Sequence, residues 1–308
     1  MVVEDATRGS CGAIRGGRMS RLTSFLRLQV QRATRVLAPK VQAAHDVAPL
    51  YRLGFPVIVC WSAKAGCTTV LKWFLHHTGL LDEAVGQHEW LHDYRCQVLM
   101  APLSAYVASC KSALRRGDAE VVKVVRDPAR RAVSAYIHLI RHEYIPTWEP
   151  GVRAWKRRVG LTRQAGLTFE QFLHFVIDAR SSGRAMDIHF QPQWQAAWDR
   201  FVDRVVPLER LTDEFAAIED RHGLPRTDMG RFSVSYHHNA PDSGHRWPRD
   251  VARFAATHED VAALGTPPVE AFLDAGTLEL VRSAYADDYD AYGSFYAEPR
   301  RAVLHRAA

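Results

Sequence analysis

Residues 57–71 of the chain read VIVCWSAKAGCTTVL, and this stretch decides the fold class. The apolar, partly β-branched run Val57–Trp61 has the length and composition of a buried strand. The loop Ser62–Cys67 follows it, and from Thr68 to about His77 the apolar residues recur with a helical period. A buried strand that passes through a short loop into a helix is the repeating unit of α/β proteins.

Two more units of this kind follow along the chain. Val121–Val125 predicts a second strand, and Arg126-Asp127-Pro128 leads from it into a helix that reaches about His142. Arg204–Leu208 predicts a third strand, followed by a helix over Thr212–His222. The repetition predicts an α/β fold with a parallel sheet and helices on both faces. Further helices are predicted near 102–116, 168–179 and 277–292, and a loop over 236–248.

The charge of the chain is unevenly distributed along its 308 residues. The net charge is +6, and residues 1–44 hold eight basic and two acidic residues, which leaves 32 of each in the rest. We expect 1–44 to be a basic segment, disordered or amphipathic, with residues 18–37 as a possible contact to a membrane surface. Residues 45–308 are expected to form one domain, whose balanced charge argues against nucleic acid as a partner.

Cysteine usage and hydropathy indicate the cellular compartment. The five cysteines are an odd number without a C-x-x-C pair, and no apolar run reaches the roughly 18 residues of a membrane span. Both observations predict a reduced, cytoplasmic protein, with peripheral contact to the inner membrane surface through its basic segment as the alternative.

The loop after the first strand is the best candidate anion site in the sequence. A loop that feeds a helix N-terminus directs unpaired N–H groups at one point, and Gly66 lets a phosphate approach the backbone closely. Lys64 adds a positive charge, and Thr68 and Thr69 add hydroxyl groups. The order differs from a Walker A loop, in which the lysine directly follows the last glycine.

A second anion site is predicted after the second strand. Arg126 lies at the carboxyl end of that strand, where open α/β sheets bind their ligands. Arg130, Arg131 and Ser134 follow at spacings that place at least two of them on one helix face with Arg126. Two such sites at two strand ends suit a nucleotide with phosphates at opposite ends of its ribose.

Both motifs resemble those of a known enzyme family. The segment Pro56–Leu71, with its Lys-Ala-Gly-Cys-Thr-Thr, resembles the 5′-phosphosulfate loop of sulfotransferases that use 3′-phosphoadenosine 5′-phosphosulfate (PAPS). Val124–Tyr136, which reads VVRDPARRAVSAY, is similar to their 3′-phosphate motif. Weaker similarities occur at HFQPQ (189–193), PLERL (207–211), His238-Asn239 and 285–293. The chain looks most like a bacterial-type member of the carbohydrate sulfotransferase (family 2) group.

The resemblance implies a P-loop-NTPase-like, three-layer α/β/α fold with a central, mainly parallel sheet. It implies transfer of a sulfuryl group from PAPS to a hydroxyl group of a carbohydrate or glycolipid, with no metal ion. Lys64 would act at the 5′-phosphate oxygens, and Arg126 and Ser134 would bind the 3′-phosphate with support from Arg131. The implied 5′ cradle consists of Lys64, Ala65, Gly66, Cys67, Thr68 and Thr69.

The proton acceptor of the reaction is less directly indicated. Histidine has a suitable pKa, and His92 follows a short apolar residue at a position where family members often carry a histidine. His88 and Glu89 could serve instead, and His189 is a candidate within its own motif. His238 is a further candidate for an accessory or substrate contact.

The sequence also admits other functions. His88-Glu89-Trp90-Leu91-His92 spells H-E-x-x-H, the zinc hydrolase pattern, but the residues that follow do not supply the usual third ligand. A P-loop-type kinase and a catalytically silent nucleotide- or glycan-binding domain are compatible with the same strand ends. For a sugar acceptor, the candidate stacking residues are Trp148, Trp155, Trp194 and Trp198.

Overall fold

The computed structural model describes residues 47–141, 149–184, 186–233 and 247–296. The sheet in this part of the chain has three parallel strands in the order β1-β2-β3, with β2 in the centre. The strands are β1 Val57–Cys60, β2 Glu120–Val125 and β3 Arg204–Pro207. Val59 lies opposite Val122, and Val124 lies opposite Val206. All three predicted strands and their parallel arrangement are confirmed.

The sheet is covered on both faces. Successive side chains of a strand point to opposite faces, yet every residue of β1 is buried, and so is every residue from Val121 to Val125 in β2. Near-continuous burial is typical of parallel sheets that have helices on both sides. The α/β class with layers on either side of the sheet is therefore confirmed.

Helices occupy most of the remaining described chain. The α-helices are α1 Cys67–His77, α2 Leu81–Gln87, α3 Leu91–Tyr94, α4 Leu103–Arg116, α5 Pro128–Arg141, α6 Glu149–Arg158, α7 Phe169–Ser181, α8 Ala196–Asp199, α9 Leu211–His222, α10 Gly230–Ser233, α11 His258–Leu264, α12 Ala275–Ala284 and α13 Ala286–Tyr292. A π-helical turn spans Arg95–Leu99, and 3₁₀ turns span Leu208–Arg210, Val251–Arg253, Val269–Phe272 and Gly293–Phe295.

The helices that follow the three strands begin and end within two residues of their predicted positions. The single helix predicted over 277–292 is wrong: α12 and α13 are separate helices. The break lies at Tyr285, whose backbone leaves the helical region at φ −126° and ψ 36°. Its ring is fully buried, with the Arg131 guanidinium carbon 5.6 Å from the ring centroid.

Two packing arrangements hold α1 and α5, the helices that begin at the predicted anion sites. In α1, Trp73 packs against Phe215 of α9 with ring centroids 4.5 Å apart. In α5, the ring of Tyr136 contacts Phe169 and Phe172 of α7 in an extensive aromatic core. Both helices are thereby fixed relative to the loops at their N-termini.

Two of the sequence predictions concern residues that the structure does not describe. Residues 1–44, and nearly all of the predicted loop 236–248, lie outside the described residues. Across the described ranges, the helices are too short or too polar to cross a lipid bilayer.

Candidate active site

The loop between β1 and α1 is a sharply turned segment at the carboxyl end of the sheet. Lys64 and Gly66 both have left-handed backbone conformations, with φ of +67° and +73°. For a residue other than glycine this conformation costs about 1 kcal/mol or more, and it occurs preferentially at functional sites. A Cβ atom on Gly66 would lie 2.5 Å from Cδ1 of Leu208, so the loop also packs tightly against the chain after β3.

The N-terminus of α1 presents unpaired backbone amides at the predicted anion site. The first backbone hydrogen bond of the helix runs from the N–H of Val70 to the carbonyl of Gly66 at 3.0 Å. The amides of Cys67, Thr68 and Thr69 therefore have no acceptor within the helix, and they carry the positive end of its dipole. The hydroxyl of Thr69 is directed elsewhere, because it donates to the carbonyl of Phe232 at 3.4 Å.

Lys64 lies among other cations at this loop. Its pKa is lowered from 10.5 to about 8, first by burial and then by the charges of Arg126, Arg141 and Arg131, while Cys67 acts in the opposite direction. Three guanidinium groups close to a lysine repel its charge, and in the absence of an anion this repulsion costs electrostatic free energy. A bound anion would offset that cost, so this charge arrangement fits the phosphosulfate end of a donor nucleotide.

The structure brings the two predicted phosphate motifs together. Arg126 directly follows β2, and its Nη1 donates to the carbonyl of Lys64 at 3.2 Å. Burial lowers the pKa of Arg126 from its ordinary value. Ser134 lies two turns along α5, half-buried, on the same helix face as Arg130. Arg130 is exposed and forms an ion pair with Glu270 at 3.0 Å.

Arg131 has a different position from the other arginines of the motif. Its side chain is buried, and its Nε donates to the carbonyl of Ala63 at 3.0 Å. Its two Nη atoms are also buried and have no hydrogen-bond partner among the described residues. Arg131 thus holds the 5′ loop from inside, whereas the sequence resemblance gave it a supporting role at the 3′-phosphate.

Among the candidate proton acceptors, His92 contacts the 5′ loop. Its Nε2 lies 3.1 Å from Oγ1 of Thr68 and 3.9 Å from Sγ of Cys67. Its Nδ1 lies 2.9 Å from Nη1 of Arg95, a group that can only donate. The neutral ring therefore carries its proton on Nε2 and donates it to Thr68. Before Nε2 can accept a proton, the bond from Arg95 to Nδ1 has to open.

The H-E-x-x-H sequence does not form a zinc site. Helix α2 ends at Gln87, His88 is extended with φ −135° and ψ 126°, and α3 begins only at Leu91. The two histidines are therefore not one turn apart on a common helix, as the zinc hydrolase pattern requires. His88 packs against the ring of Tyr94 at 5.7 Å, and Glu89 is exposed. Within the described ranges, no group of three or more His, Cys, Asp or Glu side chains is placed to hold a metal ion.

The side chain of His189 lies beside α5. Its Nδ1 is 2.5 Å from Oδ1 of Asp187, and its ring centroid is 4.4 Å from that of His138. His138 lies one turn after Ser134 on α5, so the structure associates His189 with the 3′-phosphate motif. His238, the other accessory candidate, is outside the described residues.

The sequence did not single out the tryptophan that lies beside the site. Trp90 is 58% exposed, and its ring centroid is 5.2 Å from that of His92. Trp155 and Trp198, two of the predicted stacking residues, are buried in the core. Trp194 is half-buried, and Trp148 lies outside the described residues.

A buried polar group beneath the loops was also missed. Lys123 is completely buried in the centre of β2, and its Nζ lies 3.2 Å from Oδ1 of Asp199 and 2.6 Å from the carbonyl of Gln193. The signal in the sequence was a single charged residue within the apolar run VVKVV. A lysine in such a position needs a partner in the interior.

Comparison with known proteins gives one family match. The model described as “Sulfotransferase family” matches residues 64–296, about three quarters of the chain, from the lysine of the 5′ loop to Tyr296 after α13. The match includes the 5′ loop from Lys64 onward, the 3′-phosphate motif and the segment 189–193. No curated protein matches the chain.

Proposed function

Because this chain belongs to the sulfotransferase family, we propose that it transfers a sulfuryl group from PAPS to a hydroxyl group of a carbohydrate or glycolipid. One observation carries the choice of donor: the contact of Arg126 with the carbonyl of Lys64 joins two cationic loops at adjacent strand ends. A nucleotide with a phosphate on each side of its ribose can occupy both loops at once.

Lys64 and the N-terminus of α1 are proposed to bind the 5′ end of the donor. In sulfuryl transfer, as in phosphoryl transfer, charge develops on the leaving oxygen of a loose transition state. Lys64 and the amides of Gly66, Cys67, Thr68 and Thr69 belong to one sharply turned loop that leads into the N-terminus of α1. Preorganised donors of this kind stabilise the developing charge without reorganising during the reaction.

Arg126 and Ser134 are proposed to bind the 3′-phosphate. The guanidinium offers charge-assisted hydrogen bonds, and the hydroxyl of Ser134 adds a neutral donor from α5. Arg131 contributes indirectly, because its bond to the carbonyl of Ala63 keeps the 5′ loop in place. The exposed Arg130 is engaged by Glu270 in the structure.

His92 is proposed to accept the proton of the hydroxyl group that is sulfated. Its support is its position, since it touches Thr68 at the start of α1, where the sulfuryl group would lie. The bond from Arg95 defines a resting state in which Nε2 is protonated. The reactive tautomer requires Arg95 to leave Nδ1, and the anionic donor offers its guanidinium a stronger partner than a ring nitrogen.

Trp90 is proposed to bind the ring of the acceptor. A large aromatic ring that remains mostly in solvent beside His92 can stack on the apolar face of a sugar. A sugar ring stacked on Trp90 would lie close to His92, because the two ring centroids are 5.2 Å apart. A carbohydrate or glycolipid acceptor fits this arrangement, and the sequence resemblance points to the same acceptor class.

The cellular setting also belongs to the proposal. Cys60, Cys67, Cys96 and Cys110 are free thiols in the structure, in agreement with a reducing compartment, so we place the reaction in the cytoplasm. Contact of residues 18–37 with the inner membrane surface remains part of the proposal. Sedimentation of the full chain and of a 45–308 fragment with anionic vesicles tests this contact, and equal sedimentation of both would contradict it.

Transfer of ³⁵S from labelled PAPS into fractionated cell extract tests the function directly. We expect label in a carbohydrate or glycolipid fraction, and we expect Lys64→Ala to abolish it. Arg116→Ala is the matched control, because it removes an exposed positive charge from the end of α4, which precedes the amino end of β2. Full transfer by Lys64→Ala, or specific PAPS binding without transfer to any fraction, would contradict the proposal.

A further inference from the structure

The segment 189–193 reads HFQPQ, and its last residue makes an unusual pair of contacts with the 3′-phosphate motif. We propose that Gln193 is a positioning residue that fixes Arg126 for the 3′-phosphate and thereby sets the preference for a donor with that phosphate. The inference rests on the proposed function, because it assumes that Arg126 binds a 3′-phosphate. It concerns a side chain that is itself completely buried and does not touch solvent.

Gln193 satisfies both backbone groups of Arg126. Its Oε1 accepts a hydrogen bond from the N–H of Arg126 at 2.8 Å, and its Nε2 donates to the carbonyl of Arg126 at 2.8 Å. Arg126 is the first residue after β2, where the chain leaves the sheet and its N–H and C=O need other partners. The paired bonds fix the backbone of Arg126 and hence the direction in which its side chain leaves.

Gln193 is itself held through its backbone. Its carbonyl accepts from Nζ of Lys123 at 2.6 Å and from Oγ of Ser62 at 3.4 Å. Its N–H donates to Oδ1 of Asp288 in α13 at 2.6 Å. The residue that orients Arg126 is therefore attached to the central strand, to the 5′ loop and to a C-terminal helix. Such a support can fix the direction of Arg126 relative to Lys64.

The other end of the segment contacts the same motif. His189 packs on His138, which lies one turn beyond Ser134 on α5. The segment thus touches both parts of the predicted 3′-phosphate site, the strand end through Gln193 and the helix through His189. This placement explains why HFQPQ belongs with the phosphate motifs, although none of its side chains was expected to bind the phosphate directly.

Replacement of Gln193 by methionine removes its bonds to Arg126 and keeps its backbone contacts. The bonds from Ser62 and Lys123 and the short bond to Asp288 use the backbone of residue 193, so Gln193→Met removes only the carboxamide contacts. Besides the two bonds to Arg126, these are longer contacts of Nε2 with Oδ2 of Asp288 at 3.4 Å and with the hydroxyl of Tyr296 at 3.3 Å, and the Arg126→Ala background separates their loss from the loss at Arg126. The readout is the ratio of the dissociation constants for adenosine 5′-monophosphate and adenosine 3′,5′-bisphosphate, measured by calorimetry. Gln191→Ala is the matched control, because Gln191 bonds within its own turn to the carbonyl of Met186 at 2.7 Å.

We expect the wild type and Gln191→Ala to prefer the bisphosphate equally. In Gln193→Met that preference falls roughly tenfold, the effect of about one misplaced charge-assisted hydrogen bond, with little change in monophosphate binding. Gln193 acts through Arg126 in this proposal, so Gln193→Met causes no further loss of preference in an Arg126→Ala background. An equal loss in both backgrounds, or no loss in either, would overturn it.

Two further outcomes keep the test decisive. If circular dichroism shows that Gln193→Met is unfolded, Gln193→Asn replaces it, because a shorter carboxamide cannot reach both backbone atoms, and an unchanged preference in that variant also overturns the proposal. If the wild type does not prefer the bisphosphate, the proposed donor is wrong, and the role of Gln193 is rejected with it.

Discussion

Donor affinity should fall as the pH rises through the pKa of Lys64. Burial and the neighbouring Arg126, Arg141 and Arg131 lower this pKa to about 8 in the ligand-free site. Relative to an ordinary lysine, the protonated form is disfavoured by roughly 3 kcal/mol, and a bound anion can recover part of this free energy. The anion binds the protonated form of Lys64 preferentially. The affinity for the anion is therefore highest well below the pKa and falls as the pH rises above it. Lys64 is about nine-tenths protonated at pH 7 and about one-eleventh at pH 9, so the dissociation constant should rise roughly tenfold.

The assay is calorimetric titration with adenosine 3′,5′-bisphosphate at pH values from 7 to 9. The second ionisation of each phosphate of this ligand has a pKa near 6 and is about nine-tenths complete at pH 7, so the phosphates add little pH dependence in the window. Cys67 acts electrostatically on Lys64, so the series is repeated in Cys67→Ala. Lys64→Arg is the matched variant, since a guanidinium stays charged throughout and its affinity should not change with pH.

Two results would refute this reasoning. If the wild-type dissociation constant is the same at pH 7 and pH 9, then Lys64 does not titrate in contact with the ligand. If Lys64→Arg loses affinity with pH as steeply as the wild type does, then another group causes the loss. A drop that disappears in Cys67→Ala and persists in Lys64→Arg would assign it to the thiol.

Four other perturbations test the described contacts. His92→Asn keeps a hydrogen-bond donor but has no titratable base. We expect it to be as inactive as His92→Ala in sulfate transfer and to retain adenosine 3′,5′-bisphosphate binding. An active His92→Asn enzyme would rule out His92 as the base. Trp90→Ala should raise the acceptor KM about tenfold through lost stacking, with donor affinity unchanged, and an unaltered acceptor KM would contradict the stacking role. Glu219→Leu leaves three hydrogen-bond donors without the carboxylate that they share. It should lower the free energy of unfolding, measured by urea titration, by roughly 2–4 kcal/mol. A loss below about 1 kcal/mol would show that these bonds contribute little. Gly66→Ala should abolish donor binding. Gly79→Ala is the control, because Gly79 has a similar φ of +70° and open space where a Cβ would lie, and it should cost only about 1 kcal/mol of stability. Intact donor binding in Gly66→Ala would show that the loop tolerates a side chain.

The sheet and the anion loops could be predicted because they depend on local patterns. Buried strands appear as short β-branched runs, and a parallel sheet brings the loops after its strands to one edge. Lys64 and Arg126 follow directly from that rule, since each lies just beyond a predicted strand. The placement of His92 beside Thr68 required more, because the two residues are 24 positions apart in the sequence and lie in different helices, with α2 between them.

The features that were missed depend on contacts between distant parts of the chain. Gln193 meets Arg126 across 67 residues, and nothing in HFQPQ indicates a bond to a strand end. The exposure of Trp90 depends on where α2 ends and α3 begins, a break that also separates the two histidines of H-E-x-x-H. Helix periodicity continues through 277–292 in the sequence, and the break at Tyr285 accompanies the burial of its ring near Arg131.

The buried polar groups beneath the loops make better sense as positioning devices than as sources of stability. The ion pair of Lys123 with Asp199 is completely enclosed, and the desolvation of such a pair usually offsets its Coulomb attraction. Replacing both partners of such a pair by apolar residues is often neutral for stability, whereas removing Lys123 alone would leave the Asp199 carboxylate buried without its cation. Lys123, however, also donates to the carbonyl of Gln193, whose side chain holds Arg126. The polar interior therefore provides directional bonds to a strand end that must present a cation at a fixed angle, which apolar packing alone cannot specify.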